Sequence, residues 1–220
     1  MLKKISASAA VALAALALAG VAVLAAPTTY QIDAAHSNVG FTVPILGGLS
    51  KVSGKFTDFT VQIVHDDADV TKSSVKAVIK AASIDTGIER RDAHLRNADF
   101  FEVEKFPEIT FESKRVEKRG GGFVAHGTFT MRGVSKEIEL PFTLNGVRKN
   151  PANGSTTLGV TSRLTLNRKD FGISFSRPDA PDFLGDMIEI ELNLVTRAAG
   201  GRQQQPAATP APSPTAPARP

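Results

Sequence analysis

Residues 123–144 of the chain read FVAHGTFTMRGVSKEIELPFTL. Apolar and polar side chains alternate along both halves of this stretch, so that Phe129 and Met131 share one face and Ile138 and Leu140 share another. An alternation with a period of two is typical of a β-strand with one apolar face. Arg132-Gly133-Val134 lies between the two halves and has the composition of a turn. The stretch therefore predicts two strands joined by a short turn.

The same alternation continues on both sides of this stretch. It recurs in 38–43, 74–81, 109–111, 158–166 and 188–194. Gly-rich and Asn/Pro-rich segments at 120–122 and 150–154 separate neighbouring strands, so about eight strands follow one another with mostly short loops. Each strand has one polar face, which excludes a buried parallel sheet. Periodicity leaves two architectures open, a β-sandwich and a β-barrel.

One strand changes its phase. Val52, Gly54 and Phe56 share a face, but beyond Asp58 the apolar set shifts to Phe59 and the alternate residues after it. An odd step in a period-two pattern predicts a bulge or a sharp bend. A long, bent strand favours a sheet that curls towards closure.

Residues 86–101, TGIERRDAHLRNADFF, have helical spacing instead. We expect a short helix that crosses one end of the sheet, with Thr86 as its N-cap and Pro107 beyond its end. The run 90–96 carries three arginines and a histidine. Two interpretations stay open, a cationic site for a polar head group and a solvated helix face whose arginines pair with nearby acids.

The two ends of the chain differ from the rest. Residues 1–25 combine a basic start with an Ala/Val/Leu run and predict a signal peptide cleaved after Ala25, with an uncleaved anchor as the alternative. Residues 198–220 are rich in Pro and Ala and predict a disordered tail. One domain is left at 26–197. We expect a periplasmic or secreted protein.

Charge argues against nucleic-acid binding. The chain has 26 Lys and Arg against 22 Asp and Glu, and four of the basic residues lie in the two ends, where no acid is found: Lys3, Lys4, Arg202 and Arg219. The domain itself is thus formally neutral, so the basic balance is no sign of a nucleic-acid partner. The chain also has no cysteine, so no disulfide stabilises it.

Catalytic motifs are absent from the sequence. It contains no Gly-x-Ser-x-Gly elbow, no His-Glu-x-x-His pair and no phosphate-binding loop. His36 and Ser37 are neighbours on a predicted strand and would point to opposite faces. The run His65-Asp66-Asp67-Ala68-Asp69 falls between two strands, where Asp is an ordinary turn residue. We predict no enzyme, no cofactor and no metal site.

Six ordered blocks resemble one family, the YceI-like proteins. They are DAAHSNVGF (33–41), SIDT (83–86), RDAHLRNADFF (91–101), FPEITFES (106–113), GTFTMRGV (127–134) and NRKDFG (167–172). The resemblance implies an eight-stranded antiparallel, lipocalin-like barrel with an elongated apolar cavity. It also implies exported proteins, often dimers, that bind isoprenoid quinones, polyprenyl phosphates or, in some members, fatty amides. Residues 44–48 depart from the His-Leu-Gly of many relatives, so one end of the cavity is expected to differ.

The resulting hypothesis is an all-β protein, an eight-stranded antiparallel lipocalin-like barrel with one short helix over an end. It would be a non-catalytic carrier or store of a polyisoprenoid-type molecule, with a homodimer and transient membrane contact as further expectations. The expected tail-binding residues are Val39, Phe41, Val43, Phe56, Phe59, Ile79, Phe111, Phe129, Leu140, Leu164 and Ile190. The expected head-group residues are Arg91, His94 and Arg168. The alternatives are a filled barrel that acts through a protein partner in a stress response, and an enzyme on isoprenoid or quinone substrates that uses His36 or His94.

Overall fold

Eleven strands and one α-helix form the described part of the chain, residues 26–199 of a computed structural model. The signal peptide expected at 1–25 and the tail expected at 198–220 lie outside it, apart from Ala198 and Ala199. The helix is α1 (Glu89–Arg96). The strands are β1 (Thr28–Ile32), β2 (Asn38–Ile45), β3 (Ser50–Phe56), β4 (Phe59–His65), β5 (Ser74–Lys80), β6 (Ile84–Asp85), β7 (Glu108–Arg119), β8 (Gly122–Met131), β9 (Val134–Lys149), β10 (Thr156–Asn167) and β11 (Met187–Ala198).

Three long strands are each divided by a short turn. A 3₁₀ turn at Ala34–His36 separates β1 from β2, and another at Ala81–Ser83 separates β5 from β6. Between β3 and β4 the break follows Phe56, where the phase change predicts a bend, and that prediction is confirmed. With each divided strand counted once, the sheet has eight antiparallel strands, which confirms the predicted barrel with one short helix.

One half of the barrel is a closed ring, and we call it the closed half. Its strands pair in the order β1-β4-β5-β7-β8-β9-β10-β11, and β11 returns to β1 through Tyr30 and Ala198. Packed side chains fill its interior, with Tyr30 and Leu158 almost fully buried. The hydroxyl of buried Thr196 donates to the Leu158 carbonyl at 3.1 Å. The closed half therefore contains a solid core.

The other half is open along two lines, and we call it the split half. The pairing of β9 with β10 stops at Phe142 and Ser162, although both strands continue. On the opposite side β6 pairs only with β3, and α1 with the segment 97–107 occupies the space between β6 and β7. The split half therefore consists of two facing sheets, one built from β7, β8 and β9 and the other from β10, β11, β2, β3 and β6.

The helix is shorter than predicted, and Thr86 does not cap it. The N-cap position is Ile88, which makes no side-chain cap bond. The Thr86 hydroxyl and N–H instead both donate to Oδ1 of buried Asp92, at 2.5 and 3.0 Å. Thr86 cannot cap because two further residues, Gly87 and Ile88, precede the first helical turn. Within residues 26–199, no helix has both the length and the apolar character needed to cross a bilayer.

The β8–β9 turn depends on its glycine. Arg132 and Gly133 both have positive φ, 50° and 72°, as in the two-residue turns that match the twist of a hairpin. A Cβ atom on Gly133 would lie 2.5 Å from Cε1 of Phe106. We expect Gly133→Ala to lower the free energy of unfolding by about 1–3 kcal/mol in urea denaturation. Gly121→Ala, at a site with no atom within 4 Å, is the control and should change it by less than about 0.5 kcal/mol. Equal stabilities of the two variants would contradict this account.

Candidate functional site

An apolar cavity of about 200 Å³ lies between the two sheets of the split half and extends to β4 and β5 of the closed half. The cavity is lined by 28 residues, and every lining side chain is apolar except that of Arg168, while Gly40 has none. Ten of the eleven expected tail-binding residues line it: Val39, Phe41, Val43, Phe56, Ile79, Phe111, Phe129, Leu140, Leu164 and Ile190. Phe59 does not line it. With 6% of its surface exposed it packs in the core, and Val61 on the same strand face reaches the cavity.

Residues outside the strands complete the cavity wall. Leu95 of α1 and the following Phe100 and Phe101 line it, as do Ile173 and Leu184 from the segment 173–186 between β10 and β11. None of these five residues is among the expected tail-binding residues. A weak signal was present in Phe171-Gly-Ile173-Ser-Phe175, which alternates like a strand. The segment instead folds across the end of the split half, where Leu184 forms a β-bridge with Ile45.

Arg168 anchors that segment. Its side chain is only 4% exposed, and its guanidinium donates five hydrogen bonds. Four acceptors are backbone carbonyls, at 2.8–3.4 Å, and the fifth is Oδ1 of Asp186 at 2.8 Å; the carbonyls belong to Ile173, Phe175, Leu184 and Gly185. A guanidinium has five N–H groups, so all of them are used within the protein. A head-group role for Arg168 would require one of these bonds to break.

Arg91 and His94 do not join Arg168 at one site. Neither residue lines the cavity. The Arg91 guanidinium donates to the Thr86 hydroxyl and carbonyl at 2.7 and 2.9 Å. The His94 Nε2 lies 2.9 Å from Oδ2 of Asp99, and its ring packs edge-on against Phe100 and Phe175 at 5.0 and 5.2 Å between centroids. His94 thereby connects α1 to the segment 173–186, behind Phe100 rather than in the cavity.

The remaining candidates for chemistry lie elsewhere. His36 is 67% exposed, and its Nδ1 contacts Oδ2 of Asp33 at 3.0 Å. His65 is buried, and its Nε2 lies 3.2 Å from Oδ1 of Asp67. Asp66 accepts the N–H groups of the next turn residues, which is ordinary turn chemistry. Between residues 26 and 199, no group of three His, Asp or Glu side chains could hold a metal ion.

We expect the anchor of Arg168 to weaken in acid, because it includes the carboxylate of Asp186. The Lys169 ammonium, which donates to Asp186 at 2.7 Å, and the neighbouring Arg168 hold the pKa of Asp186 below its ordinary value of 3.8. A carboxylate with a lowered folded-state pKa stabilises the fold above its unfolded pKa, and this contribution is lost as pH falls through the folded pKa. We expect the free energy of unfolding to fall below about pH 4, and Asp186→Asn to make that fall shallower. Urea denaturation of both proteins at a series of pH values measures this, and parallel pH profiles would contradict it.

Comparison with known proteins places these features in a wider group. Residues 30–196 match the YceI-like domain family. Two UPF0312 proteins of Staphylococcus aureus, from strains N315 and Mu50, are each 37% identical over 150 residues, which is 68% of this chain and 85% of each relative.

Solved structures resemble the fold over similar lengths. The Campylobacter jejuni YCEI protein is 33% identical, with a TM-score of 0.58, over 69% of this chain and 86% of that one. BcnA of Burkholderia cenocepacia is 24% identical, with a TM-score of 0.64, over 74% and 98%. A polyisoprenoid binding domain from Saccharophagus degradans is 15% identical, with a TM-score of 0.60, over 78% and 99%. At these low identities the last two comparisons support the shared fold alone.

Proposed function

The chain belongs to the YceI-like domain family, and from this premise we propose that it carries or stores a polyisoprenoid-type lipid without catalysis. Isoprenoid quinones and polyprenyl phosphates are the two ligand types that we expect. The observation that carries the proposal is the cavity, because 27 of its 28 lining residues offer a ligand no polar side chain. The Saccharophagus degradans structure, which shares the fold, is that of a polyisoprenoid binding domain, and our proposal extends this class of ligand to the present chain.

Hydrophobic burial supplies the affinity in this proposal. Each Å² of apolar surface removed from water contributes about 25 cal/mol, so a few isoprene units bind well without any hydrogen bond. The one polar lining side chain, Arg168, already has protein acceptors for all of its N–H groups. The cavity walls therefore favour an apolar chain and give no site for a charged group inside.

The size of the cavity limits how much of a ligand it holds. Its volume of about 200 Å³ is below the range of about 300–1,000 Å³ that is usual for ligand sites. A cavity of about 150 Å³ can hold one benzene. A chain of many isoprene units therefore needs the two sheets to move apart, or a part of it to lie outside the cavity.

Catalysis is less well supported by the geometry. The two histidines of the enzyme hypothesis, His36 and His94, are not among the lining residues, so neither faces a ligand held in the cavity. The hypothesis of a filled barrel agrees with the packed core of the closed half, but it does not agree with the cavity between the sheets of the split half. Export to the periplasm or the medium, transient membrane contact and a homodimer are further parts of our proposal, and export is supported by the sequence of residues 1–25.

Native mass spectrometry of the full chain, purified without detergent from the host it comes from, tests the proposed function. We expect one lipid per protomer, lost on denaturation and identified in the organic extract as a polyisoprenoid. Lipid-free protein should take up added geranylgeraniol or menaquinone in the same assay. Protein that carries no lipid and takes up neither compound would overturn the proposal.

A further inference from the structure

The edges of β9 and β10 that face each other in the split half have no strand partner. Residues 134–141 of β9 pair only with β8, and residues 163–167 of β10 pair only with β11. We call this opening the β9–β10 seam. The seam begins next to the closed half, after the last paired residues, Phe142 and Ser162. At its other end the Lys136 ammonium lies 3.3 Å from a carboxylate oxygen of Asp170. The seam is thus a gap in the barrel wall with defined ends.

Pro141 explains where the pairing stops. The Ser162 hydroxyl donates to the Pro141 carbonyl at 2.6 Å, so the backbone of residue 141 faces β10. Proline has no N–H and cannot continue the ladder. In an antiparallel strand every second residue directs both its N–H and its C=O to the same neighbouring strand. The backbone N–H and C=O groups of Glu137 and Glu139 therefore also face the seam. The seam therefore presents both donors and acceptors of the backbone.

A second concave region lies outside the seam. This outer groove, of about 810 Å³, crosses the outer surface of β8, β9, β10 and β11. Leu164 and Leu192 line both the outer groove and the inner cavity. Leu140 and Leu164, at the two edges of the seam, also line the cavity. Apolar side chains at the edges of the seam therefore lie between the cavity and the groove.

The surface of the outer groove is about half polar and half apolar, and its apolar part includes the stacked rings of Phe123 and Phe142. Its charged side chains sum to zero. Its two arginines are each paired with an acid, Arg119 with Glu139 at 2.5 Å and Arg163 with Glu191 at 3.2 Å. Threonines, including exposed Thr165, supply further hydroxyl groups. Paired charges do not provide the excess of cations that phosphate binding requires, whereas hydroxyl and backbone groups suit a neutral acceptor.

We propose that the bound lipid passes through the β9–β10 seam and places an uncharged, hydrogen-bonding head group, such as a quinone ring or an alcohol, in the outer groove. This inference depends on the proposed function. It accounts for a ligand longer than the cavity, since the remainder lies in the groove. It also names the ligand class more narrowly, because a neutral head group is preferred to a phosphate.

Site-directed fluorescence tests the position of the head group. The chain has no cysteine, so a single introduced cysteine takes one bimane label. The groove label is at Thr165→Cys. The control labels are at Lys76→Cys, across the barrel on β5, and at Arg90→Cys on α1, and all three positions are exposed. A ubiquinone with two isoprene units, whose ring quenches nearby fluorophores, should quench the groove label at least twofold and the two controls by less than a tenth.

A displacement assay on the same labelled proteins distinguishes a failure of the seam proposal from a failure of the proposed lipid-carrier function. Bound quinone should release a polarity-sensitive dye, N-phenyl-1-naphthylamine, from the cavity. If the dye is released but the label at Arg90→Cys is quenched instead of the label at Thr165→Cys, the lipid does not pass through the seam. This result would overturn the seam proposal but would agree with the carrier function. Neither dye release nor quenching at any label would overturn both.

The preference for a neutral head group is tested with two ligands that share one tail. Geranylgeraniol should bind the unlabelled protein at least threefold more tightly than geranylgeranyl phosphate. A phosphate that binds as tightly as the alcohol, or more tightly, would overturn the neutral head group. Tighter binding of the alcohol together with quenching at Thr165→Cys would support the whole proposal.

Discussion

Replacing Arg168 by alanine is expected to lower the free energy of unfolding by about 3–5 kcal/mol, because removing the buried guanidinium leaves several hydrogen-bond acceptors unsatisfied. The substitution would leave four backbone carbonyls and part of Asp186 without donors. The segment 173–186 has little regular structure to satisfy these groups in another way. Urea denaturation, read by circular dichroism, measures the loss.

Lys169→Ala is the matched control for this prediction. Lys169 contacts the same carboxylate of Asp186, but its side chain is half exposed. An exposed ion pair contributes about 0–1 kcal/mol, so this variant should unfold nearly as the parent protein does. If Arg168→Ala were as stable as Lys169→Ala but bound lipid more weakly, Arg168 would be a head-group residue and the anchoring role would be wrong.

Ala77→Phe is expected to weaken lipid binding by roughly 50- to 100-fold. Ala77 lies on β5 and lines the cavity, so a phenyl ring at this position would occupy space that the lipid tail needs. A ligand that buries about 100 Å² less apolar surface loses about 2.5 kcal/mol of binding free energy. Displacement of the cavity dye by geranylgeraniol measures the change in Kd.

The stability of the Ala77→Phe variant shows whether the cavity is the cause. A ring that fills an existing cavity should change the free energy of unfolding by less than about 1.5 kcal/mol. Ala82→Phe places the same ring on the exposed residue that follows β5 and Ala81, and should leave Kd unchanged. Unaltered binding by Ala77→Phe would place the ligand outside the cavity.

Most of the fold could be predicted because its signal is local. Each strand alternates along its own sequence, and the phase change after Phe56 marks a bend without reference to any partner. The break at Ala81–Ser83 has the same odd step, because buried Ala81 and buried Ile84 are three residues apart. The strand that follows it, β6, has only two residues, so no alternation comes after the step to reveal a change of phase.

The openings of the barrel could not be predicted, because they depend on pairing. β9 and β10 keep their alternation through the seam, and only the partner across the gap is missing. Pro141 was the one local sign. The role of Arg168 could not be predicted for a similar reason. The sequence does not distinguish an arginine that binds a ligand from one that donates hydrogen bonds to backbone carbonyls. The five acceptors of Arg168 come from residues 5 to 18 positions further along the chain.

The closed half and the split half should differ in the free energy that local opening requires. To open the closed half, backbone hydrogen bonds around the whole ring must break. In the split half the two sheets meet at the seam through side chains alone, so they can separate there while every existing ladder stays intact. Transient opening should therefore cost less free energy around the cavity than around Tyr30 and Leu158. The bound lipid would thus lie in the part of the fold that opens most readily. Its binding should slow the exchange of backbone amide hydrogens around the cavity more than around Tyr30 and Leu158.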